Sequence, residues 1–585
     1  VVAGSTTTRH HGISTPTEGD PMAMTRPLAM LGVDLQRWRS RLFYGALVVA
    51  LGYLIVMPVW RLQTLAFEND AAGYASQFGR PDIGETLRTT VGLALASLVI
   101  ALVLGTLLAY ATSRLPRRVG FLRIIPVLPI VMPSVANVVG WAFLLSPGPG
   151  YLNALMRQLP WWDHLDSGPV NVYSSTWIII ITGFGLTSFV YLFVSAGMQN
   201  ISSEHLEAAQ ASGSSQLGVF FKVVLPLLRP SLVYGGGVAL LLGLGQFTGP
   251  LLLGQSEGMK VLTTEMYRRT SESPVNYAAA AAAASPLVIV GILVVLSQRF
   301  LLGNQARFVT HGGKSFAPAG GRSYWAAFFV GLYGFVALAL PLLGVLIVSL
   351  SPYWSENLSW DLFTLQNYRE MVRTPGVMES VSTSVVTSLA AVAICVPVGL
   401  AVATLVVRNR HLTVVRTLAD LITALPLGLP AVIFGVGFLL TYTQPPFILY
   451  GTKWVIILVY IVLMIPFATR MQMTALISMG NTYSEASAVS GASPLVTSLR
   501  VTLPMLKPAV LSAVALMFIL LTHEFAASLM VRSATTQVMG TVLYDHWSNG
   551  SYTLVAAMAI LMSAVTAAGV VVAMLLGGRN VLDNL

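Results

Sequence analysis

Charged side chains are scarce in this chain of 585 residues: Asp, Glu, Lys and Arg make up only 10% of it, against 55% apolar residues. A soluble chain carries roughly 25% charged residues, because its surface must face water. The deficit excludes a large soluble fold and leaves a polytopic membrane protein. Cysteine is nearly absent too. Cys395 is the only one and sits inside an apolar run, so no intrachain disulfide can form and the thiol is expected to pack as a small hydrophobe. The opening residues, including "TTTRHHGISTPTEGDP", lack the apolar core of a cleavable signal segment. They read as a disordered cytoplasmic tail over residues 1–41, in which His10-His11 is incidental. The only stretch resembling a phosphate loop, "GGKS" at Gly312 to Ser315, lacks its first glycine, since that position is Phe308. No ATPase machinery, cofactor or metal site is therefore expected in the chain itself.

What is present in excess is apolar sequence in runs long enough to cross a bilayer, which takes about 20 residues per helix. Six runs occupy the first half: Leu42–Trp60, Thr90–Tyr110, Ile124–Leu145, Trp177–Val194, Leu232–Leu253 and Tyr277–Leu296. Six more come after them: Tyr324–Leu350, Val385–Val407, Leu421–Leu440, Trp454–Ala468 (extending past Thr469), Ala509–Met530 and Tyr552–Leu576. The expected fold class is an all-α membrane protein of about twelve spans in two homologous halves, 42–303 and 324–585, joined by a linker at 304–323 rich in Gly, Ser and Pro. The net charge of +10 could suggest nucleic acid. Its distribution excludes that partner: Arg and Lys form short clusters between apolar runs, such as Arg114, Arg117, Arg118 and Arg123. Basic short loops mark the cytoplasmic face, which places both termini inside the cell and the acids Glu68, Asp70, Asp163, Asp166 and Glu257 outside. Asp420, near the cytoplasmic end of its span, is expected to snorkel.

The halves repeat one another in sequence. "LPIVMPSVANVVGWAFLL" from Leu128 matches "LPLGLPAVIFGVGFLL" from Leu425 if a small gap is allowed, pairing Pro129 and Pro133 with Pro426 and Pro430, and Gly140 with Gly437. Two parallel repeats with an even number of spans share orientation, so their pseudo-twofold axis lies along the membrane normal.

The sharpest repeat is cytoplasmic. "EAAQASGSSQLGVFFKVVLPLLRP" begins at Glu207 and "EASAVSGASPLVTSLRVTLPMLKP" at Glu485, 278 residues later, within loops at 200–230 and 478–508. Glu207-Ala208-Ala209 and Glu485-Ala486-Ser487 are each followed, after three intervening residues, by a glycine, Gly213 or Gly491, and later by Leu225-Pro226 or Leu503-Pro504. Glu and Ala favour a helix, and Gly readily takes the positive φ that ends one. The pattern therefore predicts a short helix, a break and a second helix leading back into the membrane.

This spacing resembles the EAA motif of permease subunits of ATP-binding-cassette importers, and the resemblance covers about residues 40 to 580. It implies that the two loops are coupling helices, each docking on one copy of a cytoplasmic ATPase, with Glu207 and Glu485 making polar contacts and Gly213 and Gly491 setting the turns. Ser487 replaces the usual Ala. Two fused halves resemble the subclass that includes iron(III), thiamine, polyamine and some phosphonate importers. The implied function is import by alternating access from an extracytoplasmic solute-binding protein, with iron(III) as the first expectation for cargo.

Polar side chains inside spans cost about 2.5–3.5 kcal/mol when charged and are functional candidates by default. Glu524, beside His523 in the eleventh span, is the first candidate for the substrate pathway. Its counterpart 278 residues earlier is Gln246, and Asn137 in the third span is a further candidate. For Glu524, lining a cavity and pairing with His523 or a neighbouring helix remain alternatives, and for Asn137 so does capping a proline-disturbed helix. The rival class is an ion-coupled secondary transporter, which would need more intramembrane charge and no paired docking loops. Either way the chain is a transport subunit embedded in lipid and not an enzyme.

Overall fold

The computed structural model describes residues 26–302, 322–357, 360–409 and 412–577. His10-His11, the GGKS stretch and most of the linker lie outside these residues. Residues 1–50 and 51–585 form two compact units. The first carries the opening of helix α1, and the elements after that helix all belong to the second.

Among the described residues, ten helices are long and apolar enough to cross a membrane, and two further helix pairs would make twelve if each bent pair is one span. Helix α1 (Arg26–Phe78) starts well before the expected Leu42, so residues 26–41 are helical rather than tail-like. It breaks at Glu68 to Ala71, where Asn69 and Asp70 take left-handed φ values of 53° and 57°, a conformation that Asn and Asp tolerate better than most residues. Helix α2 (Ile83–Ser113) returns.

The third span does not run straight as expected. A 3-10 stretch, Arg117–Ile130, meets α3 (Ser134–Leu145) at 94°. Its counterpart in the second half, Thr413–Gly428, meets Ala431–Tyr442 at 110°. The cause is the repeated proline pair: Pro129 and Pro133, like Pro426 and Pro430, remove backbone donors and restrict the preceding residue, so the chain turns where they stand.

Helix α4 (Ser175–Gln199) leads to the first of the repeated loops with its short helix α5 (Ser203–Ala211). The fifth span, expected to be continuous, is divided into α6 (Arg229–Leu244) and the short α7 (Thr248–Leu252). Beyond it come α8 (Leu262–Ser271) and α9 (Tyr277–Leu302). The poly-alanine stretch opens α9. Ala279 to Ala284 are fully buried there, as small residues at a close helix contact would be.

The second half repeats this order. Helices α10 (Tyr324–Gly334) and α11 (Leu340–Leu350) form its first span. Next are α12 (Val377–Arg408), α13 (Thr413–Ala424), α14 (Ala431–Tyr442) and α15 (Lys453–Met479), the last extending past Thr469 as expected. The loop helix α16 (Thr482–Val489) precedes α17 (Leu503–Thr522), and a break separates α17 from α18 (Ala526–Val531). Helices α19 (Met539–Ser548) and α20 (Tyr552–Gly577) complete the half. Cys395 is buried in α12, its thiol 3.7 Å from the Ile461 carbonyl. Asp420 is partly exposed and accepts from Arg470 on α15 at 2.6 Å.

The halves are held together by an exchange. Gly140 on α3 lies so close to α11 that a Cβ there would sit 2.3 Å from the Pro341 carbonyl oxygen. Gly437 on α14 meets α1 in the same way, with the Pro58 carbonyl oxygen at 2.8 Å. The first span of each half therefore packs on the third span of the other, and only glycine permits the backbone contact.

Candidate functional site

The two repeated loops are built alike. Helix α5 begins at Ser202, whose hydroxyl accepts from the Glu204 amide. It ends in a turn where the amide of Ser214 donates to the Ala209 carbonyl at 3.0 Å and that of Gly213 to Gln210 at 2.9 Å. In α16 the amide of Ala492 reaches Ser487 at 3.1 Å and that of Gly491 reaches Ala488 at 3.0 Å. These pairs are the 6→1 and 5→2 bonds of a Schellman cap, which requires a left-handed residue just past the helix. Gly213 has φ of 84° and Gly491 of 79°. The interval between Ala209 or Ser487 and its glycine is thus the spacing of the cap itself.

Ser487 has a structural partner. Its hydroxyl pairs with Thr497 Oγ1 at 2.8 Å, and Thr497 is buried. The equivalent positions in the first loop are Ala209 and the buried Val219, both part of one apolar cluster. One half joins the two loop helices by apolar packing, the other by a hydroxyl pair.

Each loop then passes through a π-turn, Phe220–Val224 or Ser498–Thr502, directly before Leu225-Pro226 or Leu503-Pro504. A third, Phe335–Ala339, precedes Leu340-Pro341. In all three the leucine amide reaches back five residues, and the proline after it has no amide to continue the ladder. Glu207, Ala208, Glu485 and Ala486 are exposed. So are large apolar side chains beside them: Leu217 at 71%, Phe221 at 60%, Val489 at 90% and Leu499 at 56% exposure.

The pathway candidates gather where the fifth spans break. In the first half Gly245, Gln246 and Phe247 interrupt the helix; in the second, His523, Glu524 and Phe525. A Cβ on Gly245 would sit 3.1 Å from Pro430 of the other half. The first-half break thus abuts the proline elbow of the second half.

The carboxylate of Glu524 caps the short α18. Oε1 accepts from the Ala527 amide at 2.7 Å, and Oε2 from the Ser528 amide at 2.9 Å and from the Ser528 hydroxyl. Ser528 Oγ in turn pairs with Tyr460 OH at 2.9 Å. Gln246 is held differently: its Oε1 accepts from Thr182 Oγ1 at 2.8 Å, and its Nε2 is buried without a partner. Asn137 Oδ1 and His523 Nε2 are buried without partners as well. Ser134 and Thr248, which the sequence did not single out, face one another across this region with hydroxyls 3.5 Å apart.

Directly beyond the breaks stands a closed ring of four aromatics, two from each half. Phe247 and Phe525 have centroids 5.6 Å apart, Phe525 and Tyr544 5.8 Å, Tyr544 and Tyr267 6.1 Å, and Tyr267 and Phe247 6.1 Å. Each phenylalanine directly succeeds a pathway candidate in sequence, a signal that was readable as Gln-Phe and Glu-Phe 278 residues apart. The tyrosines come from α8 and α19, which are fastened at matching points: the Leu262 amide to Thr90 Oγ1 at 3.0 Å and the Met539 amide to Ser384 Oγ at 2.9 Å.

Charge then anchors α8. Buried Glu265 pairs with Arg80 and with Arg269 at 3.2 Å, while Asp82 binds Arg80 and Lys260, each at 2.6 Å. The hydrogen bond from Lys260, aided by the charge of Arg80, holds the Asp82 carboxyl below its ordinary value. In α19 one pair does the same work, Arg532 to Asp545 at 2.7 Å.

A helical, duplicated membrane body with paired glycine-capped loops and a crossing point between its halves defines a transport permease. The chain belongs to the family of binding-protein-dependent transport system inner membrane components, whose model matches residues 91–304 and 395–580, more than half of its length. It is a multi-pass inner membrane protein of that family. It is 26% identical over 475 residues to a ferric transport system permease protein FbpB of Actinobacillus pleuropneumoniae, a match covering 78% of this chain and 65% of the relative, just under two thirds. It is 25% identical to a putative ferric transport system permease protein FbpB 1 of Haemophilus influenzae, over 75% and 69% of the two chains. A probable ABC transporter permease protein, y4fN of Sinorhizobium fredii, is 26% identical over 86% and 91%.

Proposed function

We propose that this chain is the fused permease of an ATP-driven importer of iron(III), with both termini in the cytoplasm. The observation that carries the reading is the duplicated loop: two glycine-capped helices of the same register, each ringed by exposed apolar side chains, next to a pseudo-symmetric pathway. A soluble surface does not keep such residues bare without a partner. Two copies of a separate ATPase dock there, at Glu207, Ala208, Ala209 and Gly213 and at Glu485, Ala486, Ser487 and Gly491. The π-turns before Leu225-Pro226 and Leu503-Pro504 transmit their movement to α6 and α17.

A binding protein delivers solute on the outer face. The ring of Phe247, Phe525, Tyr267 and Tyr544 closes the crossing on that side, so the described conformation is shut toward the outside. ATP binding draws the loops together and parts the ring; hydrolysis resets it. Motor and delivery protein bias the equilibrium only by binding its two states unequally.

Iron(III) rests on the names of the ferric permease relatives, supported by the likeness of the fused halves to that subclass. The deciding experiment reconstitutes the permease with its ATPase and binding protein and measures ATP-dependent uptake of iron(III), thiamine and polyamines. Uptake of iron(III) alone bears the reading out. Import of another cargo replaces the cargo and keeps the machine, and uptake driven by an ion gradient without ATP overturns the importer assignment.

A further inference from the structure

The pseudo-symmetry that relates the two halves fails at the crossing point, and the failure is chemical. On the first half the residues there are polar: Ser134 and Asn137 on α3, Gln246 in the break and Thr248 at the start of α7. The matching positions of the second half are Ala431, Phe434, Glu524 and Ala526. Phe434 is fully buried in packing. Glu524 is the one second-half residue of the four with a polar side chain, and three hydrogen bonds from the start of α18 already occupy its carboxylate. On the first half an amide donor (Gln246 Nε2) and an amide acceptor (Asn137 Oδ1) are buried without partners, and the second-half break adds one such group, His523 Nε2, where the first half has Gly245. Leaving such groups unpaired costs about 1–3 kcal/mol each, a cost that a passing solute with hydrogen-bonding groups can offset.

We propose that solute is contacted at the crossing chiefly by the first half, through the neutral groups of Ser134, Asn137, Gln246 and Thr248, with His523 the one unpartnered group facing them from the second, and that Glu524 is a positioning residue that pins α18. The inference rests on reading the fifth-span breaks as the pathway. It deepens that reading by naming the recognition chemistry. The site takes a solute presenting hydrogen-bonding oxygen, which includes a metal ion that keeps its own oxygen ligands, and it does not strip a cation with a carboxylate. Among the described residues no group of three or more His, Cys, Asp or Glu side chains is placed to hold a bare ion. By the same logic Phe525, carried at the entry to α18, keeps its place in the aromatic ring because Glu524 fixes the turn beneath it.

The test uses the full transporter in proteoliposomes, with iron(III) supplied on its binding protein, and reads iron imported per ATP hydrolysed. Gln246→Leu and Asn137→Leu are expected to lower that ratio about tenfold, the scale of one lost buried hydrogen bond, in complexes that still assemble with the ATPase. Ser134→Ala, a smaller change that does not threaten folding, lowers it in the same direction. Glu524→Gln, which keeps an acceptor for the α18 amides, holds the ratio within about twofold of wild type, whereas Glu524→Ala lowers the melting temperature of the complex. A tenfold fall in the ratio for Glu524→Gln at unchanged melting temperature overturns the proposal, as does an unchanged ratio in all three first-half variants. A wild-type complex that imports no solute under ATP removes the underlying pathway reading instead, which keeps the two failures distinguishable.

Discussion

Gly213 and Gly491 show how much a single residue decides. A Cβ at either would meet nothing within 4 Å, so the demand for glycine comes from the backbone alone, through φ values of 84° and 79°. A side chain in that region costs about 1–2 kcal/mol, less for Asn. Gly213→Val and Gly491→Val should therefore weaken co-purification of the ATPase clearly, and Gly213→Asn much less, at equal expression. Equal retention for Val and Asn would show that the turn does not govern docking.

The Ser487–Thr497 pair allows a second test at this scale. Ser487→Ala leaves the buried Thr497 hydroxyl unpaired and should destabilise the second loop by about 1 kcal/mol. Adding Thr497→Val recreates the apolar pairing of Ala209 and Val219 and should restore most of the loss. A double-mutant cycle on ATPase affinity or thermal stability reads the coupling directly.

At the scale of elements, the exchanged first spans determine whether the halves stay together. Gly140→Leu or Gly437→Leu would drive a side chain into the Pro341 or Pro58 backbone, where a Cβ alone already comes within 2.3 Å or 2.8 Å of oxygen. No rotamer avoids that overlap, because the obstacle is main chain. Loss of monodisperse protein in detergent is the expected outcome, measured by size-exclusion chromatography. The aromatic ring is an element-scale device as well: each half supplies one phenylalanine from a span break and one tyrosine from the helix after it. Replacing Phe247 and Phe525 together by Ala should raise ATP hydrolysis in the absence of binding protein, because the closed state loses ring contacts that the open state never had. Hydrolysis that stays at the wild-type level would remove the gate.

For the whole molecule, the charged anchorage of α8 gives a pH dependence with a definite sign. Asp82 is held below its ordinary value by Lys260 and Arg80. Its stabilisation is therefore complete above the ordinary carboxyl range and is lost only as pH falls through the lowered value. The difference in melting temperature between wild type and Asp82→Asn should be constant from about pH 7 to about pH 5 and should shrink below about pH 4. Partly exposed ion pairs of this kind contribute less than about 1 kcal/mol, so the difference should be small throughout.

The sequence by itself determined the spans, the repeat and the glycine-capped loops, because each of these is local: an apolar run of bilayer length, a proline pair, a glycine four residues past Ala209 or Ser487. Sequence reading erred where a span looks apolar throughout yet is divided, at the elbows before α3 and α14 and at the breaks holding Gln246 and Glu524, since hydropathy records composition and not backbone hydrogen bonds. Only the tertiary structure decided that the first spans change partners, that four aromatic residues up to 297 positions apart meet in one ring, and that the Glu524 carboxylate caps a helix. Those outcomes depend on which backbones can approach one another, and contacts between distant segments leave no periodicity in the chain from which to read them.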